Sequence, residues 1–182
     1  NLQRQIIHGE ADVGINKVAS AKASIAALNS GVLVETLQQR LSGEMLAEEV
    51  LKADVVVDCC DNLVTRLAVN KACLQHQTPM ISGAAIRMEG QVIVVDPRAP
   101  STPCYHCLMQ FTGEQEHSCS TTGVMAPIVG IIGAIQAMEA IKVISNFGQP
   151  LVGKLLLLDA KTMQWKTFSL PKDAVCKSCS KI

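Results

Sequence analysis

Val55-Val56-Val57-Asp58-Cys59-Cys60-Asp61-Asn62 is the stretch on which the reading of this chain turns. Three successive valines do not alternate with polar residues. An unbroken apolar run of this kind marks a strand buried on both faces, as in a parallel sheet covered by helices. The run stops at Asp61-Asn62 and a helical pattern follows. In open α/β sheets, ligands bind beyond the carboxyl ends of the strands. Asp61 is therefore expected at the rim of a site, at the mouth of a helix. A plainer role competes with this one: Asp and Asn are preferred helix N-caps, and either residue suits that position.

Composition supports a core of ordinary size. Of 182 residues, 48% are hydrophobic and 18% charged, which suits one domain. Sixteen basic residues balance 16 acidic ones, so there is no electrostatic footprint for nucleic acid. Aromatic content of 3% also argues against a stacking platform for single strands. Eight cysteines include the adjacent pair Cys59-Cys60 inside a strand. That pattern suits a reducing, cytoplasmic compartment better than a disulfide scaffold. No signal peptide is visible. The chain opens at Asn1 without a Met, and is expected to be part of a longer protein.

Working outward, Val18, Ala21, Ile25 and Leu28 recur at helix spacing from Asn16, and Asn29-Ser30-Gly31 stops them. Lys17 falls in the first turn, where a cation opposes the helix dipole but suits an anion bound at the helix N-terminus. Residues 32–37 read as a strand, and Ser42 as the cap of a helix through Leu51. After Asn62 a helix is expected to about Gln75, with Val64, Leu67, Ala68 and Ala72 inward. Strands are expected over 80–85 and 91–95, with a bend at Glu89-Gly90. Pro97, Pro100 and Pro103 break the pattern. Residues 111–122 read as a long loop carrying Cys119, and loops of that length are often functional. Residues 125–144 approach membrane-spanning length, but Gln136, Glu139 and Lys142 interrupt them, so a buried helix is expected rather than a membrane span. Pro127 fits its first turn. Gly130, Gly133, Ala134 and Ala137 give this helix a small-residue face, suited to close packing on a sheet or on a partner subunit. Strands over 155–159 and 165–170 close the fold.

Cys104-x-x-Cys107 and Cys176-x-x-Cys179 form a matched pair of knuckles. Together they supply four thiolates, the ligand set of a tetrahedral structural zinc site with no position left open for catalysis. Their separation of about 70 residues exceeds that of a simple zinc ribbon, so a metal would tie the tail to the middle of the chain. Two disulfides or a redox pair are the alternatives. Redox pairs normally open a helix after a strand, whereas Cys104 follows a Pro-rich loop. Cys59, Cys60 and Cys73 read as core or helix-face thiols, and His106 as a solvated spacer within its knuckle.

Taken together these residues resemble the ThiF/MoeB family, the bacterial relatives of ubiquitin-activating enzymes. The resemblance rests on Asn-Leu-Gln-Arg-Gln at 1–5, Lys17, Asp-Cys-x-Asp-Asn at 58–62 and Ser-Gly-Ala-Ala-Ile-Arg-Met-Glu-Gly-Gln at 82–91. The two knuckles and Gly-Val-Met-Ala-Pro at 123–127 complete it. It spans nearly the whole chain, in order. It implies a Rossmann-like α/β fold with a largely parallel central sheet, an antiparallel extension and a zinc-bound flap of four cysteines. The implied activity is adenylation, with ATP and Mg2+, of the C-terminal glycine of a ubiquitin-like sulfur carrier of the ThiS or MoaD type, in thiamine or molybdopterin biosynthesis. A homodimer is implied as well. By position, Asn1, Gln3 and Arg4 match nucleotide contacts, and Lys17 matches the lysine near the phosphates. Asp61 matches the acidic residue associated with magnesium and the reacting centre, and Asn62 follows it at the site. Cys119 matches a cysteine that, in some relatives, links covalently to the activated carrier; a thiol in such a loop is otherwise inert.

The chemistry agrees with the match. Attack of a carboxylate on a phosphate brings two anions together, so cations must offset the phosphates and a carboxylate must hold the metal. Taken alone, Arg4 and Lys17 would be ordinary surface charge. One feature departs from the family: no Gly-x-Gly-x-x-Gly occurs anywhere. The first nucleotide-binding βαβ portion is expected to be missing. Two rivals follow, a nicotinamide-dependent Rossmann oxidoreductase, against which the knuckles argue, and a truncated non-catalytic module that binds a carrier or pairs with another subunit.

Overall fold

A computed structural model describes residues 1–99, 101–112 and 123–180. The chain forms two compact units, Asn1–Leu41 and Ser42–Ile182. In the first, α1 (Lys17–Leu28) starts where Asn16 Oδ1 accepts from the Val18 N–H at 3.1 Å. Ser24 Oγ donates to the Ile7 carbonyl at 2.6 Å and His8 Nδ1 meets Ser20 Oγ at 2.7 Å, which ties α1 to the turns before it. Leu28, the last of the apolar residues recurring at helix spacing, is exposed. Residues 32–37 do not form the expected strand. A strand needs a ladder partner, and none pairs with them among the described residues.

The second unit runs α2 (Gly43–Leu51), β1 (Val56–Asp58), α3 (Leu63–His76), β2 (Met80–Ile86), β3 (Glu89–Val95), α4 (Tyr105–Thr112), α5 (Ala126–Ser145), β4 (Lys154–Asp159) and β5 (Gln164–Ser169). The strands form one sheet in the order β1-β2-β3-β4-β5. Val56 lies beside Met80 in the parallel β1–β2 pair. The remaining pairs are antiparallel, so the expected antiparallel extension makes up most of the sheet within the described residues. The core lies between sheet and helix: Ile81, Val92, Val94 and Leu158 pack on Ile128, Ile132, Ala140 and Val143 of α5. Gly90 lets α5 come this close, since a Cβ there would run into Ile132. The bend placed at Glu89-Gly90 falls two residues earlier. Arg87 turns the chain with a φ of 50°, and Glu89 and Gly90 already belong to β3.

Three sequence expectations need correction. The valine strand is not covered on both faces, since Val57 is 43% exposed among the described residues; β1 is also the edge of the described sheet. In α3 the buried residues are Arg66, Val69, Asn70, Ala72, Cys73 and Leu74; of the four expected inward, Ala72 is buried, Leu67 and Ala68 are half-buried and Val64 is exposed. Apolar periodicity cannot find a helix face built around a buried Arg and Asn. In α5 the polar residues lie on the inward side, with Gln136 and Glu139 each 3% exposed. Glu139 accepts from the Leu151 N–H at 2.8 Å and pairs with Lys142. The outward side carries Met138, Ile141 and Ile144, all more than half exposed. It also carries Gly130 and Gly133, where an added Cβ would meet nothing, so these small residues do not serve packing on the sheet. By length and composition α5 is the one membrane-span candidate among the described residues, and it packs against β2 and β3.

Candidate functional site

The chemistry of the valine strand begins where its ladder ends. Asp58 closes β1 with a buried carboxylate. Its Oδ2 accepts from Ser82 Oγ of β2 at 2.6 Å and lies 3.1 Å from Arg66 Nε of α3, while its Oδ1 accepts from the Cys60 N–H at 3.0 Å. The Arg66 contact is an ion pair rather than an aligned hydrogen bond. Burial works against the charge on Arg66, but Tyr105 and Asp58 more than offset that and favour its protonated form. Its Nη2 donates to the Cys60 carbonyl and, at 3.0 Å, to the Gly83 carbonyl.

Above this network the chain turns outward. Asn62 caps α3, its Oδ1 accepting from the Thr65 N–H at 2.9 Å, and its Nδ2 donates to Asp61 Oδ1 at 3.2 Å. Asp61 and Asn62 are both exposed. The structure thus gives Asn62 the capping role and leaves Asp61 an open carboxylate at the N-terminus of a 14-residue helix, where the dipole favours negative charge. From below, Gln136 of α5 donates to the carbonyls of Asp58 at 2.8 Å and Ile81 at 3.2 Å. Gly83 leaves room for that carboxamide, which a Cβ would strike. Of the three thiols read as core or helix-face, Cys73 is fully buried, Cys60 half-buried and Cys59 exposed, its Sγ 3.5 Å from Gln136 Oε1.

Asn1, Gln3, Arg4 and Lys17 belong to the first unit. The Arg4 and Gln5 N–H groups both donate to the Asn1 carbonyl at 3.0 Å, which folds 1–5 into one turn with Arg4 half-buried. Lys17 is the exposed first residue of α1. Cys119 lies outside the described residues.

The knuckles form a second candidate centre. Cys104, Cys107, Cys176 and Cys179 are 0–2% exposed, and their four sulfurs lie within 4.8 Å of one another. Cys104 Sγ is 3.9 Å from Cys107 Sγ and 3.7 Å from Cys176 Sγ, and Cys107 Sγ is 3.5 Å from Cys179 Sγ. Four sulfurs about 2.3 Å from one tetrahedral ion stand about 3.8 Å apart, which these distances match. A disulfide needs about 2.05 Å, and all four are free thiols. Burial together with its thiol neighbours pushes Cys104 up to about 11 and Cys179 higher. At Cys176, burial is outweighed by the backbone N–H groups of Ser178 and Cys179, which lower it. Four buried sulfurs gathered at these spacings suit a structural metal. His106 is not a ligand here, but nor is it only a spacer: its Nδ1 meets Ser178 Oγ at 2.8 Å, joining the middles of the two knuckles.

Sequence reasoning missed the supporting residues Asp58, Arg66, Ser82, Tyr105 and Gln136. The signal for Arg66 was present, a charged residue four positions after Asn62 on the same side of α3 as Val69, Asn70 and Cys73.

Comparison with known proteins places this geometry among relatives. The sequence profile of the ThiF family matches residues 1–179. The chain is 42% identical over 179 residues to the molybdopterin-synthase adenylyltransferase of Salmonella typhimurium, covering 98% of this chain and 72% of that protein. It is 40% identical to the sulfur carrier protein ThiS adenylyltransferase of Escherichia coli, covering 98% and 70%. Among solved structures, E. coli MccB with ATP superposes with a TM-score of 0.81 at 24% identity, over 98% of this chain and 55% of that one. The chain therefore spans about half the length of that structure.

Proposed function

The chain belongs to the ThiF family, and from that premise we propose that it carries the Asp61 half of an adenylyltransferase site. The substrate is the C-terminal glycine of a ubiquitin-like sulfur carrier of the ThiS or MoaD type. The carboxylate oxygen of that glycine attacks the α-phosphorus of ATP, the bond to the β-phosphate oxygen breaks, and pyrophosphate leaves. The observation that carries this reading is the exposed Asp61 carboxylate held at the mouth of α3, in a chain 42% and 40% identical to two adenylyltransferases.

Asp61 would hold Mg2+, which supplies charge neutralisation at the phosphates. Arg4 and Lys17 offset phosphate charge, and Asn1, Gln3 and Asn62 hold the nucleotide. The knuckle cysteines would hold Zn2+ in a structural role. No Gly-x-Gly-x-x-Gly occurs within these residues, so the reading covers one part of a nucleotide site. A covalent role for Cys119 would follow adenylation, so Cys119→Ala spares exchange. The outward side of α5 carries a homodimer contact through Met138, Ile141 and Ile144, an apolar patch of the kind that marks subunit contacts; a strictly monomeric full-length protein in light scattering refutes that part. The compartment is the cytoplasm, consistent with seven described cysteines that are all free.

The test is magnesium-dependent ATP–pyrophosphate exchange in the full-length protein with its carrier. Asp61→Ala should lower exchange by about 100-fold or more, since one preorganised electrostatic group is typically worth that much. Near-normal exchange from a folded Asp61→Ala protein sinks the reading.

A further inference from the structure

We propose that Arg66 is the positioning residue of the Asp61 site and that Tyr105, carried between two knuckle cysteines, is its brace. The proposal rests on the adenylyltransferase reading for the importance of Asp61, and on geometry for everything else.

Arg66 is 6% exposed and sits one turn into α3, its N–H donating to the Asn62 carbonyl at 3.3 Å. Its guanidinium meets four separate elements. Nε faces Asp58 at the end of β1, and Nη2 donates to the Cys60 carbonyl on the rim and the Gly83 carbonyl on β2. Nη1 donates to Tyr105 Oη of α4 at 3.1 Å. The grip on Cys60 carries the argument. The peptide unit is planar, so fixing the Cys60 carbonyl oxygen also fixes the direction from Cys60 to the Asp61 Cα. Asp58 Oδ1 holds the Cys60 N–H on the other side of the same residue. Beyond Asp61, Asn62 is fixed as the cap of α3. The exposed carboxylate therefore stands on a backbone pinned before and after it, while its own oxygen takes a hydrogen bond from the Asn62 amide.

Tyr105 explains why the grip holds. A guanidinium satisfying two carbonyls and a carboxylate has little freedom to slide once a phenol closes its far side. The Tyr105 ring also lies under the cation, with 5.4 Å from the guanidinium carbon to the ring centroid. Tyr105 itself is fixed by its place in the knuckle and by its N–H, which donates to Asn70 Oδ1 of α3 at 2.9 Å. The knuckle thus bears directly on the rim, through Tyr105 to Arg66 to the Cys60 carbonyl. Stability alone does not call for this design, since buried ion pairs replaced by apolar groups of equal volume often leave stability unchanged or improved. A fixed orientation of the rim does call for it.

The experiment uses the full-length protein and compares wild type, Asp61→Ala, Arg66→Lys and Tyr105→Phe in ATP–pyrophosphate exchange. It also follows metal content, thermal midpoint and amide hydrogen exchange of the peptide covering 59–63. Lysine is a compact point charge without the planar fork that spans these acceptors, so Arg66→Lys should lower kcat about 100-fold, as a misplacement near 1 Å can, with KM for ATP within twofold of wild type. Tyr105→Phe keeps the ring and removes the hydroxyl, so it should lower kcat about tenfold. It should keep one metal equivalent and a wild-type melt, and speed amide exchange over 59–63. If Asp61→Ala retains exchange, the adenylation reading falls. If folded Asp61→Ala loses exchange while metal-loaded Tyr105→Phe keeps kcat within twofold, the positioning proposal alone is overturned. It is likewise overturned if the losses in kcat track loss of metal or melting temperature. Should Arg66→Lys fail to fold, Tyr105→Phe decides.

Discussion

The cysteine knuckles and the Asp61 rim are built in opposite senses. At the knuckles the candidate ligand atoms are themselves buried, with sulfurs 3.5–3.9 Å apart along three of their pairs. At the rim the buried groups are the supports, Asp58, Arg66 and Ser82, and the chemically useful carboxylate of Asp61 is left in solvent. A centre that only has to hold a metal closes around it, and its binding energy becomes folding energy. A centre that must meet a substrate buries its scaffold and exposes its reactive group. The contrast predicts that stability and activity separate at the rim and stay together at the knuckles.

The largest effect expected on that basis is at the knuckles. Cys176→Ser should cut bound zinc from about one equivalent to a small fraction, because a structural site with three thiolates loses most of an affinity worth about 10–16 kcal/mol in isolated zinc fingers. The melting temperature should fall in parallel. Elemental analysis with a thermal melt checks it, and full metal retention would remove Cys176 from the ligand set.

The rim should divide in two. Asp58→Ala strands the buried Arg66 cation and should cost about 3–5 kcal/mol in urea unfolding. Asp61→Ala, at an exposed position, should stay within about 0.5 kcal/mol of wild type. Equal costs for the two variants would break the division between support and reactive group.

A smaller, pH-dependent effect follows from thiols beneath the rim. Burial, reinforced by the Asp58 carboxylate, pushes Cys60 and Cys73 each up to about 12 from an ordinary value of 9.0. Between those values the unfolded chain gives up thiol protons that the folded chain keeps. Stability should therefore be full below pH 9 and decline as pH rises toward 12. Urea midpoints at pH 8 and pH 10 test this, and Cys60→Ala should flatten the decline. A midpoint that rises with pH would reverse the assignment.

What the sequence revealed and what it hid follow from how far apart interacting residues lie. Cys104 and Cys107 are three positions apart, as are Cys176 and Cys179, so spacing pointed to the knuckles, while Asp61 was legible from its place at the end of the valine run and from the family resemblance. The outline of β2, β3, β4 and β5 was legible because turn residues and apolar runs are local signals. The supports were not. Arg66 meets Tyr105 across 39 positions and Gln136 reaches the Asp58 carbonyl across 78. An apolar period treats each of these polar side chains as a surface residue, and the chain buries all of them. In α5, too, the polar residues that interrupt the apolar run, Gln136 and Glu139, lie on the inward side. The valine run was misread for a different reason. Whether an apolar strand is covered depends on what distant element packs on each face, and Val57 stays 43% exposed among the described residues.

The smallest expected effect sharpens the comparison most at the knuckles, where His106 lies between two knuckle cysteines and offers a nitrogen of the kind zinc accepts. Its Nδ1 is engaged by Ser178 Oγ at 2.8 Å, and four sulfurs already complete a tetrahedral set without it. His106 thus acts as a clasp between the knuckle loops, a side-chain hydrogen bond at a half-buried position. Such a bond contributes about 0.5–1.5 kcal/mol. His106→Ala should lower stability by that amount, leave metal stoichiometry at one, and leave Asp61-dependent exchange unchanged. Ser178→Ala should have the same effect, and the double variant should cost no more than either single one, because both remove one shared contact. Loss of metal from His106→Ala with normal metal in Ser178→Ala would instead make the imidazole a ligand, and the knuckles would no longer be a closed set of four thiolates.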